Sequence, residues 1–433
     1  MNILITSCSR DVTLVQVFRA ALINNGGGKV IAADMDPKAA ALYFADEFVL
    51  IPRGDDKEFI PHLLNLCKEK KIDLLITARD AELLLFAREK KQFEVLGCKV
   101  LAADYDTVKI CQNKLLFCRF CEENGIPIPR TFYEPDEKTI PFPAFIKPVT
   151  GAGSQKIHKV SNLKEYRLLR EIYNADENFL VQEFVQWPEY TIDLFAGFDG
   201  EVISVIPRER IRTVGGESYI GKTVKIPPII DESVRLAKKL GLIGHNTLQC
   251  FCNGKEVKFI EVNPRYGGGA NLGFHSGANT PQLLVRMLRG EKIEPRIGEF
   301  RENVVMLRYT RDIFLEEDTS VPGRKTFKIM HEADGEENQI YCIDVDGTIC
   351  TEGVEYEKVL PIEKTIKKIN ELYDRGHTII LYSARGAYSG YDWSPLTEKM
   401  LKSWGVKYHQ FMLGKPFAHW YIDNKAIHIL DWI

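Results

Sequence analysis

One short motif in the sequence places two oxygen-bearing side chains at a spacing that suits phosphate chemistry. The string Phe259-Ile-Glu-Val-Asn-Pro-Arg265 has the pattern of a β-strand and its end. Residues two apart in a strand face the same side, so Glu261 and Asn263 present their oxygens together. Such oxygens are suitable ligands for a Mg²⁺ ion that also binds nucleotide phosphates. Arg265 follows within reach of the same phosphates, where a guanidinium can stabilise developing charge.

A glycine-rich segment and two lysines point to the same chemistry. Lys147 ends the apolar run 142–146, and residues 148–155 (Pro-Val-Thr-Gly-Ala-Gly-Ser-Gln) follow it directly. The backbone N–H groups of such a turn can cradle phosphate oxygens. The segment is neither a Walker A loop nor a Rossmann fingerprint. Together with Lys114, which lies in a helical pattern, it predicts a nucleoside-triphosphate site.

A second motif near the C-terminus carries a different chemistry. In Ile343-Asp-Val-Asp-Gly-Thr348, Asp344 can attack a phosphate whose charge Mg²⁺ neutralises, and Asp346 can protonate the leaving oxygen. The twelve-residue spacing of an EF-hand is absent.

The elements that must position these motifs alternate in the first hundred residues. Short apolar runs read as strands over 2–6, 29–34, 48–51, 72–77 and 99–102, separated by helical patterns over 12–24, 58–70 and 81–91. This alternation predicts a parallel α/β layer. Residues 130–310 contain more strands joined by glycine turns, which indicates an antiparallel α+β region. Residues 340–433 return to a βα pattern.

We therefore expect an α/β and α+β multidomain protein. The predicted boundaries are 1–105, 106–314, a linker at 315–338, and 339–433.

Composition limits the classes of partner. The chain has 433 residues with 57 basic and 60 acidic side chains, so it has no basic excess for nucleic-acid binding. We find neither a secretory signal nor an apolar stretch of about 18 residues, and we expect a cytoplasmic protein without membrane insertion. The ten cysteines are scattered, and Cys118 and Cys121 are interpreted as core residues of a helix.

Over residues 1–310 these motifs resemble the ATP-grasp superfamily, in its carbamoyl-phosphate-synthase-like branch. The resemblance implies a pre-ATP-grasp α/β domain, then two ATP-grasp lobes that bind ATP and Mg²⁺ and join a carboxylate to an amine through an acyl-phosphate. It gives Arg265 the catalytic role and Mg²⁺ the ligands Glu261, Asn263 and Gln249. It further implies that ATP is bound by the following residues: Lys114, Lys147, Gly151, Gly153, Ser154, Glu183, Val185 and Glu189.

The place of Gln249 depends on the register of one hairpin. A two-residue turn at 253–254 pairs Gln249 with Lys258, on the wrong face for Glu261. A loop with an odd number of residues, such as 253–255, or a β-bulge restores the parity. We therefore expect one of these two features.

The substrate of the ligase is less defined by the sequence. Arg208 and Arg210 share strand parity and are candidates for holding an anionic substrate, although a solvated charged edge explains them equally well. The glycine loop 266–270 resembles the close-approach loop near the acyl acceptor, with a structural turn as the alternative.

Residues 339–433 resemble the haloacid-dehalogenase-like phosphatases, in the small type found with capsule and surface-polysaccharide genes. The resemblance implies a Rossmann-like domain with Asp344 as nucleophile and Asp346 as acid/base. It gives Ser383 and Lys415 phosphoryl-binding roles, and Mg²⁺ the ligands Asp344, Asp346 and Asp423. The family often has a second acid where this chain has Asn424. Only thirteen residues separate Gly347 from Pro361, too few for a large cap domain.

The combined prediction is a bifunctional enzyme, an ATP-grasp ligase fused to a phosphatase, with ATP and Mg²⁺ as cofactors and Mg²⁺ required in both domains. The expected partners are a small-molecule carboxylate, an amine and a phosphorylated small molecule, as in surface-polysaccharide precursor synthesis; a homodimer is left open. Two alternatives remain at this point. One is an ATP-grasp kinase that phosphorylates an amide or hydroxyl, and the other is a binding or regulatory protein with an inactive phosphatase-like domain.

Overall fold

The computed structural model describes residues 1–133, 137–151, 156–172, 179–318, 326–329, 339–353, 355–387 and 389–415. The chain divides into two compact units. The first consists of Met1–Ile313 and Glu317–Phe327, and the second of Phe314–Glu316 and Lys328–Ile433.

The first unit begins with a parallel sheet of order β3-β2-β1-β4-β5. Its strands are β1 (Asn2–Thr6), β2 (Lys29–Asp34), β3 (Glu47–Leu50), β4 (Leu74–Thr77) and β5 (Lys99–Val100). The helices of this region are α1 (Val12–Asn24), α2 (Phe59–Lys70), α3 (Asp80–Val95), α4 (Tyr105–Gln112) and α5 (Lys114–Glu123).

Both faces of this sheet are covered. Ile3 and Ile5 of β1 pack into one apolar cluster with Phe18 of α1. Leu4 packs into the cluster on the opposite face with Leu63 of α2. Strands buried on both faces explain the continuous apolar runs in the sequence, and the expected parallel α/β layer is confirmed.

Two antiparallel sheets follow. The smaller has the order β6-β9-β7-β8. It contains β6 (Thr131–Phe132), β7 (Ala144–Pro148), β8 (His158–Val160) and β9 (Phe179–Glu183), with α6 (Leu163–Ile172) after β8. Its core includes Ile146 and Val181.

The larger antiparallel sheet has the order β14-β13-β10-β11-β12-β15. Its strands are β10 (Glu189–Ala196), β11 (Val202–Val214), β12 (Glu217–Thr223), β13 (Gly244–Cys252), β14 (Val257–Asn263) and β15 (Val305–Leu307). The accompanying helices are α7 (Pro227–Leu240), α8 (Asn271–Ser276) and α9 (Thr280–Leu288). Ile192, Leu248 and Phe259 pack against Leu236 of α7, so alternate strand residues are left to face the other way.

The second unit contains a parallel sheet of order β18-β19-β20. Its described elements are β18 (Ile340–Asp344), α10 (Glu363–Asp374), β19 (Thr378–Ser383), α11 (Ser394–Ser403) and β20 (Gln410–Leu413). Ile343, Leu381, Ile369 and Leu401 form its core. The segment 315–338, expected as a linker, includes two paired strands, β16 (Leu315–Asp318) and β17 (Thr326–Ile329).

The cysteines are core side chains. All ten are free thiols, and only Cys342 is exposed. Burial raises the pKa of Cys111 to about 12, which keeps this thiol protonated. Among the helices of the described ranges, none combines the length and apolarity needed to cross a bilayer.

Candidate active site

A pocket of about 1070 Å³ lies over the open face of the larger antiparallel sheet. Strand residues of one parity point into it, as Glu189 and Thr191 do on β10. The opposite parity is buried against α7. The pocket wall also contains charged residues, amide residues and glycines: Lys114, Gly151, Arg208, Arg210, Glu217, Gln249, Glu261, Asn263, Arg265, Gly267, Gly268 and Gly269.

The hairpin of β13 and β14 brings the three expected metal ligands together. Its loop spans residues 253–256, with Cys252 opposite Val257, so the three-residue loop suggested from the sequence is wrong. A bulge between positions 249 and 250 shifts the register, and Gln249 stands directly opposite Glu261. The bulge is therefore the feature that restores the parity.

The donors present fit Mg²⁺. Asn263 donates through Nδ2 to Oε1 of Glu261 at 3.1 Å, which leaves the amide oxygen of Asn263 available as a ligand. One carboxylate with two amide oxygens suits a cation that takes its remaining ligands from phosphates and water. The described residues contain no cluster of three or more His, Cys, Asp or Glu side chains that could hold a metal.

Arg265 is held in place by a residue that the sequence reasoning missed. Its Nε and Nη2 lie 2.8 and 2.5 Å from the two carboxylate oxygens of Asp80. Asp80 begins α3, just after the carboxyl end of β4. The sequence did offer one signal for Asp80: it follows a predicted strand of the parallel sheet, and ligands bind at the carboxyl ends of such strands. The bidentate pair fixes the plane of the guanidinium at the pocket wall.

Removing this support is expected to reduce turnover. Asp80→Asn keeps the shape but loses the charge, so Arg265 should be less well oriented. We expect kcat for ADP formation to fall by roughly tenfold to hundredfold, with a smaller change in the KM for ATP. Steady-state kinetics on Asp80→Asn and on Asp55→Asn, an exposed control paired with Arg53, test this. Equal kcat values for the two variants would contradict a positioning role.

Of the two lysines, Lys114 lies in the pocket wall, and its charge acts on buried Lys147. Lys114 donates from Nζ to the carbonyl oxygen of Gly151 at 2.8 Å, next to the glycine-rich turn. Lys147 is only 2% exposed and makes neither an ion pair nor a side-chain hydrogen bond with the described part of the chain. Burial lowers the pKa of Lys147 to about 8. Gly153 and Ser154 lie outside the described residues.

Three other residues expected to bind ATP, namely Glu183, Val185 and Glu189, occupy different places. Glu189 lies in the pocket wall, where burial raises its pKa. The Glu183 carboxylate accepts a bond from the Arg130 amide at 2.9 Å and pairs with Lys258. Among the described residues that line the pocket, neither Glu183 nor Val185 is included.

The two arginines expected to hold an anion are occupied by protein partners. Arg208 is 1% exposed and places Nε and Nη2 at 2.7 and 2.8 Å from the carboxylate of Asp193. A Cβ atom at Gly269 would lie 2.5 Å from its Nη1, so the glycine loop packs directly on the guanidinium. Arg208 thus supports the loop from a place in the pocket wall, and its role toward an anionic substrate stays a prediction.

Arg210 is engaged on all sides. Its Nε lies 3.3 Å from Glu189, its Nη1 donates to Thr191 at 3.1 Å, and its Nη2 donates to the carbonyl oxygen of Gly216 at 2.8 Å. These contacts order the wall of the pocket and leave little of the guanidinium for a substrate anion.

In the second unit, the described residues expected to carry phosphatase chemistry lie together at the carboxyl end of β18. The Lys415 Nζ lies 2.7 Å from Asp344 Oδ2, and Ser383 Oγ donates to Asp346 Oδ2 at 3.3 Å. Arg385, which sequence reasoning left without a role, places Nη2 2.7 Å from Asp346 Oδ1 and is fully buried. Asp423 and Asn424 lie outside the described residues.

Comparisons with known proteins agree with this geometry in the first unit. Residues 3–101 match the family described as PylC-like, N-terminal domain, and residues 175–311 match ATP-grasp in the biosynthetic pathway with Ter operon. Neither of these two matches extends beyond residue 311. In the described structure this is where the parallel sheet and the larger antiparallel sheet lie.

Two curated relatives match over similar fractions of this chain. The carbamoyl-phosphate synthase of Methanobrevibacter smithii is 23% identical over 289 residues, 62% of this chain and 77% of the relative. The tyramine–L-glutamate ligase of Methanocaldococcus jannaschii is 24% identical over 276 residues, 61% of this chain and 81% of the relative. Large chains of carbamoyl phosphate synthase also match, over between 19% and 26% of their own length.

A solved structure shares the fold. The L-amino acid ligase from Bacillus licheniformis superposes with a TM-score of 0.53 and 20% identity, covering 70% of this chain and 77% of that structure. The matches therefore show an ATP-grasp family model over residues 175–311 and a fold that is similar to that of the L-amino acid ligase.

Proposed function

We propose that the first unit is an ATP-grasp enzyme, an ATP-dependent carboxylate–amine ligase that acts through an acyl-phosphate. The substrate carboxylate oxygen attacks the γ-phosphorus of ATP, and the bond to ADP breaks. The amine then attacks the acyl carbon and releases phosphate. The observation that carries the proposal is the convergence of Gln249, Glu261 and Asn263 on one face of the β13–β14 hairpin, just before Arg265 in the chain.

The chain's own charges suit this chemistry. Lys114 lies in the pocket wall with Gly151, the charges of Lys114 and Glu261 act on buried Lys147, and the charge of Glu261 acts on Arg265. Cations fixed before the reaction offset charge that develops on the transferred phosphoryl group. Mg²⁺ held by Glu261, Asn263 and Gln249 would supply further neutralisation of the phosphates.

Product analysis tests the ligase. The full chain is incubated with ATP, Mg²⁺ and panels of carboxylates and amines, and ADP and condensed products are measured by mass spectrometry. An amide that forms only when acid, amine and ATP are all present supports the ligase. A phosphorylated amide or hydroxyl compound with no condensation would instead establish the kinase alternative.

The lowered pKa of Lys147 predicts a pH dependence of ATP binding. Burial favours the neutral amine, whereas bound phosphates favour the ammonium, so ATP binding takes up a proton once the pH exceeds about 8. We expect the Kd for ATP to rise by up to about tenfold per pH unit above that value. Titration calorimetry with Mg²⁺-ATP between neutral pH and the alkaline limit of stability measures it.

Two variants serve as controls for this titration. Lys147→Arg keeps its charge throughout the range, so its Kd should be nearly independent of pH. Lys147→Met should bind ATP more weakly at every pH and lose the same dependence. A pH profile of Lys147→Met that parallels the unaltered protein would assign the titration to another group.

A second activity is favoured by the geometry of the second unit. We propose that it is a Mg²⁺-dependent phosphatase in which Asp344 attacks the phosphorus atom and forms an aspartyl-phosphate. The leaving oxygen would take a proton from Asp346, and water would then release phosphate. The pairs Lys415–Asp344 and Ser383–Asp346 support this proposal. A phosphorylated precursor of a surface polysaccharide is a suitable substrate class.

A further inference from the structure

Three segments that are distant in sequence meet beside the glycine loop of the first unit. Arg10 follows β1, Glu217 begins β12, and Arg308 follows β15. The Arg10 Nη2 lies 2.8 Å from Glu217 Oε1, and the Arg308 Nη1 lies 2.7 Å from Glu217 Oε2. Glu217 forms part of the pocket wall, and a Cβ atom at Gly268 would lie 3.0 Å from its Oε2.

The loop that carries Arg10 has an unusual and well-supported backbone. Ser7 and Ser9 have φ values of 49° and 42°, which lie in the left-handed region that few non-glycine residues adopt. The buried carboxylate of Glu82 accepts hydrogen bonds from Thr6 at 2.9 Å, from Thr77 at 2.7 Å, and from Ser7. Strained backbone of this kind persists only where the surroundings fix it, and it concentrates at functional sites.

Asp11 adds a second carboxylate to this group. It makes no hydrogen bond through its side chain with the described part of the chain, although it directly precedes α1. Burial and the nearby charge of Glu217 raise the pKa of Asp11, against the opposing effect of Arg265, Arg10 and Arg308. Two carboxylates and two guanidinium groups therefore share one patch next to Arg265.

Stability alone does not explain this convergence. The side chains of Arg10 and Glu217 are 80% and 42% exposed, and exposed ion pairs contribute only about 0–1 kcal/mol. Each guanidinium carries five N–H donors, of which the contact with Glu217 uses one. The patch thus keeps donors for an anion and acceptors for a cation.

Building on the proposed ligase, we propose that the patch Arg10–Asp11–Glu217–Arg308 binds the second substrate and that this substrate is an α-amino acid. The ammonium group binds the carboxylates of Asp11 and Glu217, and the carboxylate binds Arg10 and Arg308. A site for an anion alone has no use for two acids, and a site for an amine alone has no use for two guanidinium groups.

The experiment uses matched sets of co-substrates. ADP release from Mg²⁺-ATP is measured with each of the twenty common amino acids, with the amine that lacks its carboxylate, and with the acid that lacks its amine. We expect at least one amino acid to stimulate ADP release, and its amine and acid counterparts to act at least about tenfold less well. Stimulation by the acid alone to the same extent, or by no amino acid at all, would overturn the proposal.

Variants connect the effect to the patch. Arg10→Gln, Arg308→Gln and Asp11→Asn should each raise the KM for the stimulating amino acid by about tenfold, with a much smaller change in the KM for ATP. Arg19→Gln and Asp55→Asn, which alter exposed ion pairs elsewhere, serve as controls. Thermal unfolding checks that every variant is folded.

The responses of the variants to the different analogues distinguish a loss of substrate recognition from a general loss of activity. Arg10→Gln should not weaken the response to the amine that lacks a carboxylate, and Asp11→Asn should not weaken the response to the acid that lacks an amine. Unchanged KM values in all three patch variants would overturn the proposal, even with amide formation intact. The ligase proposal fails differently, through the absence of any amide product in the unaltered protein.

Discussion

Replacing Glu261 by Gln is expected to stop ATP turnover while the fold remains intact. Glu261 is the only carboxylate among the three expected ligands, and its substitution leaves Gln249 and Asn263 to offer amide oxygens alone. Neutral amides do not offset the charge of Mg²⁺, so binding of the metal with the phosphates should fail. We expect ADP formation to fall by about 10³-fold or more, measured in a coupled assay with saturating Mg²⁺.

A control on the same hairpin makes this result specific. Glu256→Gln alters a neighbouring acid in the loop 253–256, where Glu256 Oε2 accepts a 3.2 Å bond from Asn253. This variant should keep its turnover. Near-normal ADP release from a well-folded Glu261→Gln protein would remove Glu261 from the site, and the proposed position of the metal with it.

The hairpin shows how far the sequence could lead. Strand periodicity places Glu261 and Asn263 on one face, because that relation is local to a single strand. The relation of Gln249 to them depends on the register between two strands, which a single bulge changes by one residue. The sequence could show that a bulge or an odd loop is needed to align Gln249 with Glu261. The position of the bulge, however, is determined by packing against the rest of the sheet.

Local patterns were sufficient in the parallel sheet. The predicted ranges 2–6, 12–24 and 29–34 coincide with β1, α1 and β2. Continuous apolar runs bounded by turns define such strands, and helical periodicity defines the segments between them. The limits of β4 and β5 differ by two residues each, where the apolar runs continue past the paired backbone.

Contacts between distant segments could not be predicted from the sequence. Asp80 and Arg265 are 185 residues apart, and only the folded first unit brings them together. The sequence left Arg208 as either a holder of an anionic substrate or part of a solvated charged edge, whereas folding buries it against Asp193. The spacing of a motif predicts which side chains of one helix or strand lie together. It does not predict which side chains of other elements they contact.

Replacing Asp344 by Asn is expected to remove the phosphatase activity and leave the ligase activity intact. Asparagine keeps the shape of the side chain but lacks the charge that attacks phosphorus, so no aspartyl-phosphate can form. Lys415, which lies 2.7 Å from Asp344, would still bind the phosphate without transferring it. We expect hydrolysis of an aryl phosphate with Mg²⁺ to fall by several orders of magnitude, about 10³-fold or more.

The matched control and the reciprocal variant decide between an enzyme and an inactive domain. Asp374→Asn changes an exposed acid of the same unit, paired with Lys407, and should leave the hydrolysis unchanged. Glu261→Gln should abolish ATP use while the hydrolysis of aryl phosphate continues, because the two chemistries share no residue. If the unaltered protein hydrolyses no phosphate ester, and deletion of 339–433 lowers the unfolding temperature of the remainder, the second unit has a structural or regulatory role. Equal hydrolysis by Asp344→Asn and the unaltered protein would exclude Asp344 as the nucleophile.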